Sequence, residues 1–168
     1  MSSQPLCDAL LAKIEEQIER TVHLIVRIPD DGMEWRPPVP KAWNTSLLLG
    51  HLLDCLAGFC AVLAAAHPSP LAHFKEMRSL RVNHSCAAGE AVERITAYRA
   101  RIQEGFALLT DADLSRPVET VFVSGGEPLL TLLLGNLEHL VNHKYQLFTY
   151  LKLMGVTVAS GDLYRFRA

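Results

Sequence analysis

The sequence predicts an all-α protein of one domain, folded as a four-helix bundle. Four segments carry apolar residues at helical spacing, and clusters of proline and glycine separate them. The length of 168 residues suits a single domain. A composition of 49% apolar and 20% charged residues indicates a chain that builds a hydrophobic core and is not disordered. We therefore expect residues 1–168 to form one helical domain.

The first two helices are predicted from apolar spacing and from their boundaries. The first covers residues 5–28, where apolar side chains recur on one face: Leu6, Leu10, Ile14, Ile18 and Ile25. Prolines at positions 37, 38 and 40 exclude regular structure up to Trp43. The second helix begins in the stretch Asn44-Thr45-Ser46, which offers several N-caps, and ends before Pro68.

The second helix is apolar nearly all round, and residues 46–67 approach the length of a membrane span. His51 and Asp54 lie well inside this segment, which is unfavourable in a bilayer. We therefore expect a central bundle helix, with no membrane association. Such a helix also has apolar surface to spare for a second subunit, which predicts a homodimer.

The second half of the chain contains a long connection, a hairpin and two helices. About twenty residues precede the third helix at 87–109, enough for a crossover along the bundle. The bundle is therefore not expected to be a simple up-down-up-down arrangement. Residues 118–123 are β-branched and predict a short hairpin, with its turn at Ser124-Gly125-Gly126. The fourth helix covers 128–154, and Gly155 stands in the stop position.

Charge and cysteine content restrict the partners and the compartment. The net charge is −2, which argues against nucleic acid as the main partner, because phosphate binding needs a basic excess. The four cysteines show no CxxC spacing and are expected to be free and mostly buried, as in a reducing compartment. No secretory signal is evident in the first residues. A cytoplasmic location is the expectation.

His139 and His143 are the most informative residues of the fourth helix. They lie four residues apart, so both imidazoles share one face and can reach one metal ion. They belong to a polar stripe at the rim between core and solvent, together with Leu132, Asn136, Gln146 and Tyr150. The stripe taken alone is equally compatible with a solvated polar edge that holds no ligand.

His51 extends this pair towards a three-nitrogen site. It lies in the most apolar segment of the chain, where an imidazole without a hydrogen-bond partner costs about 1–3 kcal/mol. Asp54 follows on the same face and is expected to orient a ligand or accept a proton. Three neutral imidazoles suit zinc, nickel, iron or copper and leave a coordination position for water or a thiol. A buried His51–Asp54 hydrogen bond without metal is the simpler alternative.

Two stretches of the chain resemble the DinB/YfiT-like superfamily of four-helix-bundle metalloenzymes. PPVPKAWNTSLLLGHLLDCLAGF is similar to that family's Trp/Ser helix start followed by a histidine. EHLVNHKYQLFTYLKLMG is similar to its closing H-x-x-x-H-x-x-Q helix, which ends at a glycine. The number of helices, the long second connection and the hairpin agree with the family as well. The resemblance therefore extends over nearly the whole chain.

The resemblance implies an up-down-down-up bundle, frequently a homodimer, with a divalent metal ion such as zinc, nickel or iron. Carried over residue by residue, the metal ligands are His51, His139 and His143, and all three are present. Some members of the family are thiol S-transferases that use bacillithiol, mycothiol or glutathione, and one branch isomerises maleylpyruvate. Many members have no known activity.

The leading hypothesis is thus a metal-dependent enzyme that activates a low-molecular-weight thiol or water towards a small-molecule substrate. Asp54 and Gln146 are its candidate catalytic residues, steering protons or the metal ligands. The alternative is a non-catalytic, homodimeric metal-binding or stress-response protein, whose structural or sensing site is closed by Cys55 or Asp54. Trp35 and Trp43 either roof the metal pocket or plug the end of the core.

Overall fold

The computed structural model describes residues 4–120 and 123–165, and it confirms the predicted all-α fold. The long helices are α1 (Pro5–Ile25), α2 (Thr45–Ala66), α3 (Ala88–Phe106) and α4 (Leu129–Leu153). A one-turn helix, α5 (Ser160–Leu163), follows them. Short 3-10 helices cover Gly32–Glu34, Ala72–Ser79 and Asp111–Ser115. A hairpin of β1 (Pro117–Thr120) and β2 (Val123–Pro128) precedes α4.

The helix ends lie close to the predicted ones, and local hydrogen bonds explain their positions. Asn44 caps α2, since its side-chain oxygen accepts the Leu47 N–H at 3.0 Å. Gly155 follows α4 with φ +83, the left-handed conformation that ends many helices. Helix α1 ends three residues earlier than predicted, because the N–H groups of Arg27 and Ile28 bond to carbonyls three residues back.

Helices α2 and α3 run in the same direction. The Cys86 N–H, just before α3, donates to the Ser46 carbonyl near the start of α2 at 3.0 Å. Gly105, near the end of α3, packs against the side chain of Leu63 near the end of α2. Two neighbouring helices that are parallel need a crossover between them, and residues 67–87 provide it.

Helix α4 runs opposite to α2. The Tyr150 hydroxyl, near the end of α4, donates to the Trp43 carbonyl just before α2 at 3.0 Å. Gly58, in the second half of α2, meets the Asn136 side chain in the first half of α4. The two helices that carry the predicted histidines are therefore an antiparallel pair in direct contact.

Helix α1 runs parallel to α4, which completes an up-down-down-up order of the four helices. Gln17 of α1 accepts a hydrogen bond from Lys144 of α4 at 2.5 Å. Further along both helices, Gly32 after α1 lies against the side chain of Met154 after α4. Helices α1 and α4 thus point one way, while α2 and α3 point the other.

Helix α2 is the central helix of the bundle. The helix is 22 residues long and has a mean hydropathy of 2.0 over its most apolar stretch, which is sufficient for a membrane span. However, 61% of that stretch is buried inside the protein. Leu48, Leu49, Leu52 and Leu53 are fully buried within this one chain. Much of the apolar surface that predicted a second subunit is thus packed against other parts of this chain. The homodimer stays a prediction, as does the cytoplasmic location.

The hairpin is present, but the predicted position of its turn is wrong. Val118 pairs with Glu127, whereas Thr120 pairs with Val123, so β2 contains two more residues than β1 between these pairs. Gly125 and Gly126 occupy this bulge inside β2 with φ of +92 and +78. Glycine is suited to such bulges because it adopts positive φ without strain. Residues 121 and 122, between the paired Thr120 and Val123, lie outside the described residues.

Candidate metal centre

The structure brings His51, His139 and His143 together between α2 and α4. Ring nitrogens of all three lie within 4.8 Å of one another. The ring centroids are 4.4 Å apart for His51 and His143, 5.0 Å for His51 and His139, and 4.9 Å for His139 and His143. All three residues are half-buried. The convergence that the sequence predicted is therefore present in the fold.

Burial favours the neutral form of two of these imidazoles. It lowers the pKa of His139, and the neighbouring His51 lowers that pKa further, against the opposing charge of Asp54. Burial also lowers the pKa of His143; the hydrogen bond to Gln146 opposes this effect, and the neighbouring His51 and His139 add to it. A neutral imidazole has a free lone pair, which is the form that binds metal.

Hydrogen bonds determine which ring nitrogens carry protons. His51 Nδ1 lies 2.6 Å from Asn83 Oδ1, and His143 Nδ1 lies 2.9 Å from Gln146 Oε1. Because an amide oxygen only accepts, both Nδ1 atoms are protonated and both Nε2 atoms carry a lone pair instead of a proton. His51 Nε2 lies 3.0 Å from His139 Nε2, so in this structure the His139 N–H donates to His51.

Gln146, predicted to steer the candidate metal ligands, contacts His143 directly. Its side-chain nitrogen donates to the Tyr150 hydroxyl at 3.0 Å, and that hydroxyl donates to the Trp43 carbonyl at 3.0 Å. Its oxygen accepts from His143. A chain of hydrogen bonds thus extends from the segment before α2 to the His143 ring, and it holds this ring in one orientation.

Asp54 does not form the predicted pair with His51. It lies half-buried on α2, one helical turn after His51, and within the described part of the chain its side chain makes no hydrogen bond. The Nδ1 of His51 is bonded to Asn83 instead. The alternative of a bundle stabilised by a His51–Asp54 hydrogen bond is therefore wrong, because the crossover supplies a nearer acceptor.

Trp43 packs against two rings of the triad. This position agrees with one of the two roles predicted for Trp43, a roof over the pocket. Its ring centroid lies 4.7 Å from that of His51 and 5.9 Å from that of His143. Trp43, Leu47, His51 and Asn83 line a cavity of about 320 Å³ that opens to solvent. Trp35, in contrast, packs edge-on against Tyr150 at 5.2 Å. The cavity therefore borders both His51 and the indole ring of Trp43.

The cysteines of the chain lie apart from the triad. All four are free and buried, as predicted. Burial, together with the charge of Asp54, raises the pKa of Cys55 to about 12, so its side chain is a neutral thiol. The Cys55 thiol donates a hydrogen bond to the backbone carbonyl of His51, with a sulfur–oxygen distance of 3.5 Å. Cys55 is thus poorly suited to be a fourth ligand.

A second group of ligand-type residues lies where the crossover meets α3. Side-chain atoms of His84, Cys86 and Glu90 are within 4.8 Å of one another. His84 Nε2 is 3.0 Å from a Glu90 oxygen, and the Arg94 guanidinium is 3.5 Å from that same oxygen. Burial raises the pKa of Cys86 to about 12. Glu90 is thus already paired with a cation and Cys86 is a neutral thiol, so this group is less suited to a metal ion than the triad.

Asn83 is the residue of the site that sequence analysis missed. It lies in the crossover, 32 positions from its partner His51, where no periodicity relates the two. The only local signal is the residue type, since asparagine is among the residues that tolerate positive φ in turns. Asn83 has φ +55.

The fold and the site define a four-helix bundle with a histidine triad between two antiparallel helices. The chain belongs to the DinB superfamily, whose family model matches residues 13–147, a range that includes all three histidines. A crystal structure of a DinB-like protein from Bacillus subtilis, YjoA, is similar in fold, with a TM-score of 0.70. The two sequences are 19% identical, and the alignment covers 94% of this chain and 99% of that one. No curated protein matches the sequence.

Proposed function

We propose that this chain binds a divalent metal ion through His51, His139 and His143 and uses it to activate a low-molecular-weight thiol or water. The observation that carries the proposal is the convergence of three imidazoles from two helices, with ring nitrogens within 4.8 Å. The lowered pKa values of His139 and His143 support it, because neutral rings bind metal without first losing a proton.

The donor set fits zinc, nickel or iron, which imidazole nitrogen binds readily. Three protein ligands leave at least one coordination position for a substrate. When bound in such a site, the ion lowers the pKa of a coordinated water or thiol and makes it a nucleophile near neutral pH.

The chain's own residues would bind the substrate and move its proton. Trp43 and Leu47 offer an apolar wall beside the triad, and the cavity between them and Asn83 is large enough for a small molecule. Gln146 holds the His143 ring. Asp54 is a half-buried carboxylate with no hydrogen-bond partner among the described residues, so it is free to accept the proton of a thiol or water.

The alternative is a non-catalytic protein with a structural or sensing site. Such a site needs a fourth protein ligand, and Cys55 or Asp54 was expected to supply it. Cys55 is a neutral thiol that is hydrogen-bonded to a backbone carbonyl. Among the described residues, the ligand-type group at this site consists of the three histidines and no fourth residue. Both observations favour the enzyme.

The metal content of protein purified without an affinity tag tests the proposal. We expect about one metal ion per chain in the wild type and an affinity lowered more than ~100-fold in His139→Ala and His143→Ala. Glu90→Gln is the matched control, since it alters the other ligand-type group and is expected to leave metal binding unchanged. Equal metal in all four proteins would refute the site.

Conjugation of thiols to monochlorobimane separates the enzyme from the alternative. The metal-loaded wild type is expected to accelerate the reaction of at least one of bacillithiol, mycothiol and glutathione. Asp54→Asn is expected to lower that rate by about 10²–10⁴-fold while keeping the metal, since it removes only the proton acceptor. Full metal occupancy with no acceleration for any of these thiols would favour the non-catalytic alternative.

A further inference from the structure

The last residues of the crossover are attached firmly to the start of α2. The Asn83 N–H donates to the Gly50 carbonyl and the Cys86 N–H to the Ser46 carbonyl, each at 3.0 Å. The Ser85 hydroxyl bonds to the Ser46 hydroxyl at 2.8 Å. We call residues 83–86 the docked segment. Three hydrogen bonds hold it against the helix that carries His51.

Gly50 makes this docking possible. A Cβ at position 50 would lie 1.9 Å from the backbone oxygen of His84, so any larger residue there would displace the docked segment. Asn83 itself has φ +55, a conformation that asparagine adopts more readily than most residues. The lack of a side chain at Gly50 and the positive φ of Asn83 thus both favour this one position of the docked segment against α2.

This arrangement places the side-chain oxygen of Asn83 2.6 Å from His51 Nδ1. The oxygen accepts only, so it requires a proton on Nδ1 and leaves the Nε2 lone pair directed at the other two imidazoles. His143 receives the same support from Gln146, three residues along its own helix. His139 has no comparable acceptor at its Nδ1 within the described residues.

We propose that Asn83 is a positioning residue of the triad, holding His51 in the Nδ1–H tautomer and in one ring orientation. Positioning His51 is then one function of the long crossover, because its docked segment places Asn83 next to this histidine. The effect on metal affinity rests on the proposed function, whereas the tautomer is a property of the chain alone. Partners of this kind on ligating histidines change metal affinity by about 10–100-fold.

The tautomer of His51 in chelator-treated protein is the direct test. Long-range ¹H–¹⁵N NMR correlations of the imidazole rings distinguish the Nδ1–H form from the Nε2–H form at about pH 8, where imidazoles are neutral. We expect His51 as the Nδ1–H form in the wild type and a mixture of both forms in Asn83→Gly. Glycine adopts φ +55 without strain, so this variant removes the side chain and leaves the backbone in place.

Metal affinity gives the second readout. Asn83→Gly is expected to bind metal about 10–100-fold more weakly, and Asn83→Asp, which keeps an acceptor oxygen, is expected to restore the affinity. Ser85→Ala is the control, because it removes a hydrogen bond of the same segment that does not involve His51. It should leave both the tautomer and the affinity unchanged.

Four results decide the proposal. A wild type with His51 in the Nε2–H form, or an Asn83→Gly variant with an unchanged tautomer, overturns it. Equal losses of affinity in Asn83→Gly and Ser85→Ala also overturn it, since the segment would then act only as structure. A tautomer that depends on Asn83 in a protein that binds no metal supports the assignment of Asn83 to His51 and removes the proposed function.

Discussion

Two neighbouring residues of α4 belong to polar clusters of opposite kinds. His143 faces α2, where it is half-buried beside two other imidazoles. Lys144 faces α1 and is 1% exposed. Its ammonium group donates to Gln17 Oε1 at 2.5 Å and to the Leu163 carbonyl at 2.8 Å. One cluster thus lies at the rim of the bundle and the other is sealed inside it.

The two clusters differ in whether the chain satisfies its own polar groups. Lys144 donates hydrogen bonds to acceptors in α1 and in the C-terminal segment. These two hydrogen bonds connect α4 to both of those parts of the fold. In the triad, His143 Nε2 has no protein donor within the described ranges, and its lone pair remains free. A cluster that is complete stabilises the fold, whereas one with free lone pairs is suited to a ligand.

The largest effect on stability is expected from a substitution that disrupts the buried Lys144 cluster. Lys144→Met keeps the length of the side chain but leaves Gln17 Oε1 and the Leu163 carbonyl without their donor. We expect unfolding free energy to fall by about 2–4 kcal/mol, because buried acceptors without partners are costly. Urea denaturation measures the loss, and metal affinity should stay within about threefold of the wild type, a change of less than 1 kcal/mol.

The double variant Lys144→Met with Gln17→Leu sharpens this prediction. Replacing both partners by apolar groups removes the unpaired side-chain oxygen, so part of the lost stability is expected to return. A double variant that is less stable than Lys144→Met alone would show that the cluster does not act through this hydrogen bond.

A smaller effect is expected on the open side. Gln146→Leu removes the acceptor that holds His143 Nδ1, so metal affinity should fall about tenfold, near the lower end for such partners. Gln146→Glu keeps an acceptor oxygen and should recover the affinity. Competition with a chromophoric chelator measures both values. An unchanged affinity in Gln146→Leu would mean that packing alone orients the ring.

The smallest effect is expected from pH. In metal-free protein the lowered pKa values of His139 and His143 mean that the folded state resists protonation more than the unfolded state. Stability is therefore fully present above about pH 6.5 and decreases as pH falls through the lowered folded-state pKa values. Carboxylates with lowered pKa values, such as Asp162, act only at more acidic pH.

Urea denaturation of chelator-treated protein between about pH 7.5 and 5 checks this prediction in the range where histidine titrates. His143→Gln removes one of the titrating rings and should flatten the profile. A wild-type profile that is level down to pH 5, or one that is identical in His143→Gln, would contradict it.

Much of the fold was predictable because its signals are local. Apolar spacing, proline positions and Gly155 placed the four helices to within a few residues. The pairing of His139 with His143 follows from helix geometry alone, as does the contact of Gln146 with His143 one turn later. These relations lie within one turn of a helix, so no knowledge of packing was needed for them.

The structure corrected the expectations that depended on contacts between distant segments. The hairpin turn was misplaced because Gly125 and Gly126 serve a bulge, which only strand pairing reveals. The homodimer expected from the apolar surface of α2 stays a prediction, although Leu48, Leu49, Leu52 and Leu53 are buried within this one chain. A His51–Asp54 hydrogen bond was the alternative suggested by sequence proximity, whereas Asn83 reaches His51 from the crossover.

The sequence by itself determined the class of fold, the helices and the two histidines of α4, because side-chain spacing along a helix is set by backbone geometry. It also indicated His51 as the third member, through the rarity of a polar ring in an apolar helix. Only the tertiary structure decided how the three rings meet and which partners fix their protons. Those contacts join segments tens of residues apart, and their geometry depends on how α2, α4 and the crossover pack together.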